Sequence, residues 1–203
     1  MAKIALIGAS GNVGTRLLKE LSDRGHKVTA IARHPENIPA LPGVTAAKGD
    51  ANNAASLAGI IAGHDAVISA TRFVGTDFAA LVDALRQAAV RRWLVVGGAA
   101  SLEVAPGKRL LDQPEFPEAY KEEATSGAAA LDLLRGINDL EWTFLSPSAM
   151  FVPGERTGTF RLGKDTLLTT AEGSSISYED YAIALVDELE GPKHIRQRFT
   201  VGY

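Results

Sequence analysis

Short, nearly continuous apolar runs recur along this chain and alternate with segments of helical period. Lys3 to Ile7 (KIALI), Lys27 to Ala32 (KVTAIA), Asp65 to Ala70 (DAVISA), Trp93 to Val96 (WLVV) and Trp142 to Leu145 (WTFL) are such runs, and Val44 to Lys48 (VTAAK) is a weaker one. They are too short for buried helices and lack the polar alternation of a half-exposed strand, so each reads as a strand covered on both faces. Helix-period segments lie between them: Val13 to Leu21, a short one through Leu57, Ile60 and Ile61, Phe78 to Val90, and one through Leu131, Leu133 and Leu134. Strand followed by helix, repeated, predicts an α/β fold: a doubly wound parallel sheet with helices on both faces.

After Ala99 the pattern loosens. Ser101 to Pro117 carries Pro106, Gly107, Pro114 and Pro117 and reads as a long loop across the mouth of the sheet, a length that compact domains usually keep for function. Beyond the sixth strand we expect a small hairpin within Gly158 to Thr170, then a helix from Tyr178 to Leu189. Ser177 would cap that helix, Asp180 would complete a capping-box variant, and Gly191-Pro192 would end it. A last strand runs from Arg198 to Val201. No linker interrupts the 203 residues, so the expectation is one domain, with residues from about 147 to 203 forming a small extension on the substrate side.

Composition narrows the function classes. A net charge of −3 and a pI near 5.8 give no electrostatic footprint for nucleic acid or an anionic membrane. The chain has no cysteine, which removes disulfides, thiolate metal sites and thiol catalysis. His26, His34, His64 and His194 are scattered with no i, i+4 pair, so no metal site is expected, and no G-x-S-x-G elbow supports a serine hydrolase. With neither a basic leader before an apolar stretch nor a membrane-length apolar run, a cytoplasmic protein is expected.

The strongest local signal is Gly8-Ala9-Ser10-Gly11-Asn12-Val13-Gly14, spaced G-x-x-G-x-x-G between the first strand and the first helix. Glycine there lets the chain turn sharply, brings backbone amides up to a diphosphate, and packs the helix closely on the sheet. The helix start adds unpaired N–H groups and the positive end of its dipole. A dinucleotide is the ligand this arrangement fits; the competing reading is a purely structural tight turn.

The end of the second strand bears on which dinucleotide. An NAD site usually carries a carboxylate there for the ribose 2′-hydroxyl, whereas this chain has Arg33 and His34. A guanidinium fork suits a 2′-phosphate, so NADP is favoured over NAD; the competing reading is a solvated loop cation. Asp50, after the third strand, either bonds an adenine amino group or caps the helix that follows.

The motifs GASGNVG, IARHP, GDA at Gly49 to Ala51, and SPSAMFVPGERTG at Ser146 to Gly158 resemble the atypical short-chain dehydrogenase/reductase superfamily. Within it the chain is similar to small NAD(P)H-binding proteins of the NADH-flavin reductase type, with biliverdin reductase B and NmrA-like regulators more distant. The resemblance implies a Rossmann-like sheet ordered 3-2-1-4-5-6, with the nicotinamide near the ends of the fourth to sixth strands. It places Ala70, Thr71 and Arg72 beside the cofactor's ribose or diphosphate. It also places Ser101 where the superfamily keeps a catalytic serine, and Pro147, Ser148 and Met150 where backbone groups hold the carboxamide.

One departure matters. Carbonyl reductases of the superfamily use a tyrosine with a lysine four residues on, but here Tyr120 is followed directly by Lys121 and the fourth position is Ala124. Adjacent helical residues do not share a face, so Tyr120-Lys121 is a broken form of the pair. Hydride transfer to a planar ring such as flavin or a quinone needs stacking more than a strong acid, and Phe73, Phe116, Tyr120 and Phe151 are candidates to line such a pocket. The alternatives are an NADP(H)-binding sensor without turnover and, last, a sugar-nucleotide epimerase or dehydratase, for whose substrate domain the roughly 50 residues after the sixth strand leave little room. The partners expected are a small planar molecule and, as one assembly open to the chain, a second copy of itself. Glu122 and Glu123 read as part of a solvated helix face.

Overall fold

The computed structural model describes residues 1–203. Its strands are β1 (Lys3–Ile7), β2 (Lys27–Ala32), β3 (Val44–Lys48), β4 (Ala66–Ser69), β5 (Arg92–Val96), β6 (Glu103–Ala105), β7 (Lys108–Arg109), β8 (Glu141–Pro147), β9 (Met150–Val152), β10 (Arg161–Gly163), β11 (Ser175–Ser177) and β12 (Gln197–Gly202). The α-helices are α1 (Asn12–Asp23), α2 (Ala54–Ile61), α3 (Phe78–Gln87), α4 (Lys121–Arg135) and α5 (Tyr178–Glu190). The main sheet has eight strands in the order β3-β2-β1-β4-β5-β8-β12-β10, with every neighbour parallel except β10 on β12. This is the 3-2-1-4-5-6 Rossmann-like arrangement extended by two strands.

Side chains alternate across the strands and so feed two cores. Ile4 and Leu6 of β1 meet Leu17, Leu18 and Leu21 of α1 and Tyr181 and Leu185 of α5 on one face. Ala5 and Ile7 meet Leu57 and Ile61 of α2, Leu81 and Leu85 of α3, and Leu131 and Leu134 of α4 on the other. The three α1 leucines have no exposed surface, and each contributes about 1.5–3 kcal/mol by leaving water. With both faces covered, the carboxyl edge is where the central strands meet solvent, and loops there build the site. No helix is long and apolar enough to cross a membrane.

Two segments differ from the sequence expectation. The 101–117 stretch is not structureless. β6 and β7 form a hairpin turning at Pro106-Gly107, with Gly107 at φ +71°, and the Glu103 amide donates to the Asp165 carbonyl at 2.8 Å. The 158–170 stretch forms no hairpin of its own, because β10 takes the chain's last strand as its partner. Within 147–203, α5 and β12 join the main layers, while β9 and β11 pair with each other.

Candidate functional site

The glycine loop is shaped by close backbone approaches. Gly8 leaves β1 at φ +79°, and a Cβ there would lie 2.4 Å from the Ala70 carbonyl oxygen. At Gly14 a Cβ would lie 2.1 Å from the Gly8 oxygen, so α1 can begin this near the loop only on glycine. The amides of Gly8 and Ala9 both donate to the Ile31 carbonyl, tying the loop to the end of β2. Gly11 is the N-cap of α1 and supplies no side chain, and no acidic residue stands in the first turn. The helix thus presents Asn12, Val13 and the amides around them to an anion without competition.

A groove of about 410 Å³ opens beside this loop. Gly8, Ser10 and Gly11 form its floor toward α1, Ile31 to Arg33 and Gly49 to Asn52 one wall, and Ala70 to Arg72 with Val74 to Thr76 the other. Thr71 Oγ1 is buried in that second wall with no partner, an uncommon state for a hydroxyl and one that a ligand's polar atom would relieve. Arg33 is exposed on the groove wall and makes no ion pair or side-chain hydrogen bond within the chain. His34 stands apart from the groove lining, and its Nδ1 lies 3.2 Å from Glu36. Asp50 accepts from the Asn52 amide at 2.9 Å, while the cap of α2 is Asn53, which accepts from Ser56. Asp50 therefore makes a local turn and faces the groove instead of capping the helix.

The loop after β4 is held from two sides. Asn52 donates to the Gly75 carbonyl at 2.8 Å and accepts from the Asp77 amide at 2.8 Å. From α4, Glu123 accepts from the amides of Phe73 and Val74, and its Oε2 lies 3.5 Å from the largely exposed Arg72.

Farther along the carboxyl edge, Ser101 Oγ accepts from Arg198 at 3.2 Å. Tyr120 is 65% exposed, and Lys121 pairs with Glu118 at 2.5 Å, so the structure does not bring these two together as an acid and its tuner. Pro147 ends β8, Ser148 donates to the Val201 carbonyl at 3.2 Å, and the Met150 amide is taken by the Ser174 carbonyl. The Ser148 hydroxyl and Met150 amide are therefore engaged within the fold. Tyr181 lies under the ends of β5 and β8, donating to the Leu145 carbonyl at 2.7 Å, and burial pushes its phenol far up, which makes it a structural group and a poor acid. Phe73 stacks on Phe78 and Phe144, and Phe151 packs on Tyr178 and Tyr181, so both rings serve the fold's own layers.

The model of the NAD(P)H-binding family matches residues 8–192, from the first glycine of the loop to just past the end of α5. The chain belongs to that family. It is 43% identical to the uncharacterised protein YwnB of Bacillus subtilis (strain 168) over 98% of this chain and 97% of that protein. A Bacteroides thetaiotaomicron structure provisionally named an epimerase is 43% identical, covering 100% and 97% of the two chains, with a TM-score of 0.95. A Streptococcus pneumoniae TIGR4 structure provisionally named an NADH-flavin reductase is 38% identical, covering 100% and 99%, with a TM-score of 0.86. These names differ in chemistry, and none of them fixes the reaction of this NAD(P)H-binding protein.

Sequence reasoning missed the two residues that hold the groove's second wall, Glu123 and Asn52. Nothing local marks Glu123, since its amide partners lie about fifty positions earlier. For Asn52 a signal existed: the turn-rich cluster Gly49-Asp50-Ala51-Asn52-Asn53 precedes α2 and holds more capping residues than one helix start uses. The run Gly154 to Gly158 is explained as a strap: its amides donate to Glu179 and Asp180 at the start of α5, and Arg156 forks onto Glu20 of α1.

Proposed function

We propose that this NAD(P)H-binding protein is an NADPH-preferring reductase whose acceptor is a small planar ring such as flavin or a quinone. The carrying observation is Arg33, a guanidinium with no partner in the chain, on the groove wall at the end of β2 where NAD-type sites keep a carboxylate. In this reading the loop from Gly8 to Gly14 and the start of α1 hold the diphosphate. Arg33 pairs with the 2′-phosphate, Asp50 meets the adenine edge, and Thr71 Oγ1 and Arg72 reach the ribose and phosphates between them. The bound dinucleotide supplies the hydride.

What the chain adds is grip, orientation and exclusion of water, and the acceptor collects its proton from solvent. A largely exposed Tyr120 and a Lys121 engaged by Glu118 suit an acceptor that needs no strong protein acid. The relative provisionally named an NADH-flavin reductase supports the same class of acceptor. Such a reductase works where NADPH is regenerated, in the cytoplasm.

Titration calorimetry with NADPH and NADH, followed by NADPH oxidation with flavin mononucleotide and a benzoquinone, tests the reading. Tighter NADPH binding and turnover above the uncatalysed rate are expected. Equal or weaker NADPH binding overturns the preference, and absence of turnover on every ring overturns the reductase. The broken Tyr120-Lys121 pair also favours a second reading, an NADP(H)-binding sensor; it gains if binding is tight, turnover absent, and the oxidised and reduced cofactors bind unequally.

A further inference from the structure

Arg198 is a buried cation at the carboxyl edge that the cofactor groove does not use. It sits on β12 opposite Phe144 of β8, and because Phe199 points into the α1–α5 face, Arg198 points to the other. Its side chain keeps only 4% exposure. Nε and Nη2 donate to Asp165 Oδ1 at 2.8 and 2.6 Å, while Nη1 donates to Ser101 Oγ at 3.2 Å and Ser146 Oγ at 3.4 Å. Asp165 is more than half exposed, so the guanidinium is neutralised from the solvent side and its inward nitrogen is left for the two hydroxyls.

A buried ion pair is weak evidence for stability, since apolar side chains of similar volume usually do as well. What this guanidinium does do is hold two hydroxyls, the nearer being that of Ser101. Ser101 Oγ accepts from Nη1, and Ser101 donates to nothing in the chain. Its proton is therefore free, and a hydroxyl that accepts from a cation is a stronger donor. Ser101 follows β5, and neighbouring strands lie about 4.8 Å apart. The diphosphate floor is at β1 and Thr71 follows β4, so an extended dinucleotide would carry its reacting end on toward β5 and β8, the side of the sheet that Ser101 follows.

We infer that Arg198 is a positioning residue for the acceptor: through Ser101 it presents a polarised hydroxyl to a carbonyl oxygen or ring nitrogen conjugated with the atom that receives hydride. The inference rests on the reductase reading above. Hydride supplied by a bound dinucleotide would build negative charge on that oxygen or nitrogen, and a hydroxyl held within reach of it would bind the transition state more tightly than the ground state. Ser101 keeps its proton, and water protonates the reduced ring.

The test is a double-mutant cycle with Ser101→Ala, Arg198→Met and the double variant, measured with NADPH and flavin mononucleotide. Each single variant is expected to lower kcat by about 10- to 100-fold while the NADPH dissociation constant stays within about twofold, and the double is expected to be no worse than the worse single. Losses that multiply, or a loss confined to either single variant, overturn the relay. If Arg198→Met melts below the assay temperature, Arg198→Lys replaces it: one compact ammonium held by Asp165 leaves Ser101 unsupported, so kcat should still fall at least about fivefold, and wild-type kcat overturns the role. If wild type binds NADPH yet reduces no ring, the reductase reading has failed and the inference is read from binding instead. NADP⁺-loaded protein should then quench flavin mononucleotide fluorescence, with both variants binding at least about threefold more weakly. Equal affinities, or no binding by wild type, overturn it.

Discussion

The Glu123 carboxylate accepts the Phe73 amide at 2.7 Å and the Val74 amide at 3.0 Å, so a residue of α4 fixes the wall of a groove that begins at the first strand. A carboxylate receiving two backbone amides makes charge-assisted bonds, stronger than neutral ones, and its removal leaves two partly buried donors bare. Arg72, 3.5 Å away and exposed, loses its only side-chain partner in the same stroke.

Glu123→Ala is therefore expected to weaken NADPH binding about three- to tenfold, as ordering of the 71–77 loop shifts to the moment of binding. Melting should fall by only a few degrees, about 2–4 °C per kcal/mol at this size. Glu122→Ala, its exposed neighbour, should change neither. Calorimetric titration of the two variants side by side decides it, and equal affinities would remove Glu123 from the site's support.

Arg33 carries the specificity. Arg33→Ala should raise the NADPH dissociation constant about tenfold or more, equivalent to about 1.5–3 kcal/mol for a charge-assisted bond, and leave NADH nearly unchanged. The effect should shrink with added salt because the side chain is exposed. Parallel titrations with both nucleotides measure it. Equal weakening of the two means that Arg33 does not read the 2′-phosphate.

Gly8 and Gly25 separate two ways in which a glycine can be required. Both hold a positive φ, +79° and +76°, but a Cβ at Gly8 meets the Ala70 oxygen at 2.4 Å, whereas one at Gly25 meets nothing within 4 Å. Gly25→Ala should lower stability by about 1 kcal/mol from backbone strain alone. Gly8→Ala adds a clash with a carbonyl that β4 holds in place, so about 2–4 kcal/mol is expected, with loss of nucleotide binding. Denaturant unfolding of both variants resolves the difference, and equal losses would mean that the Ala70 contact yields freely.

These positions show what the chain makes legible. β1, β2, β4, β5 and β8 were readable because a strand buried on both faces must be a continuous apolar run, and the G-x-x-G-x-x-G loop because its glycines answer to local backbone geometry. Arg198, Asp165 and Glu123 were not, since their roles come from partners far along the chain, and no periodicity on β12 or α4 records which loop will dock there. The partner of β10 escaped for the same reason: the segment read as half of a local hairpin, whereas its partner is the strand at the far end of the chain. Asn53, not Asp50, caps α2 because sequence offers several capping residues in a row and packing selects among them.

The strap from Gly154 to Gly158 should give the protein an acid-sensitive joint. Glu20 of α1 has a side chain only 5% exposed, and it receives Arg24 at 2.8 Å and Nε and Nη2 of Arg156 at 2.9 Å. Burial alone pushes this carboxyl up, but the Arg156 and Arg24 hydrogen bonds outweigh it and hold the group below the usual carboxylate range. A carboxyl with a depressed folded pKa stabilises the fold fully above its unfolded value, near 4.5, and that stabilisation drains away as pH falls toward and through the folded value. Glu20→Gln cannot ionise in either state, so it should melt below wild type at neutral pH, with the gap narrowing below about pH 4 as the wild-type carboxyl protonates. Acids that titrate in both proteins cancel in this comparison, which isolates the Glu20 contribution. Paired melting curves from neutral pH to about pH 3.5 measure it, and a gap that stays constant would show that the two arginines do not favour the charged form of Glu20.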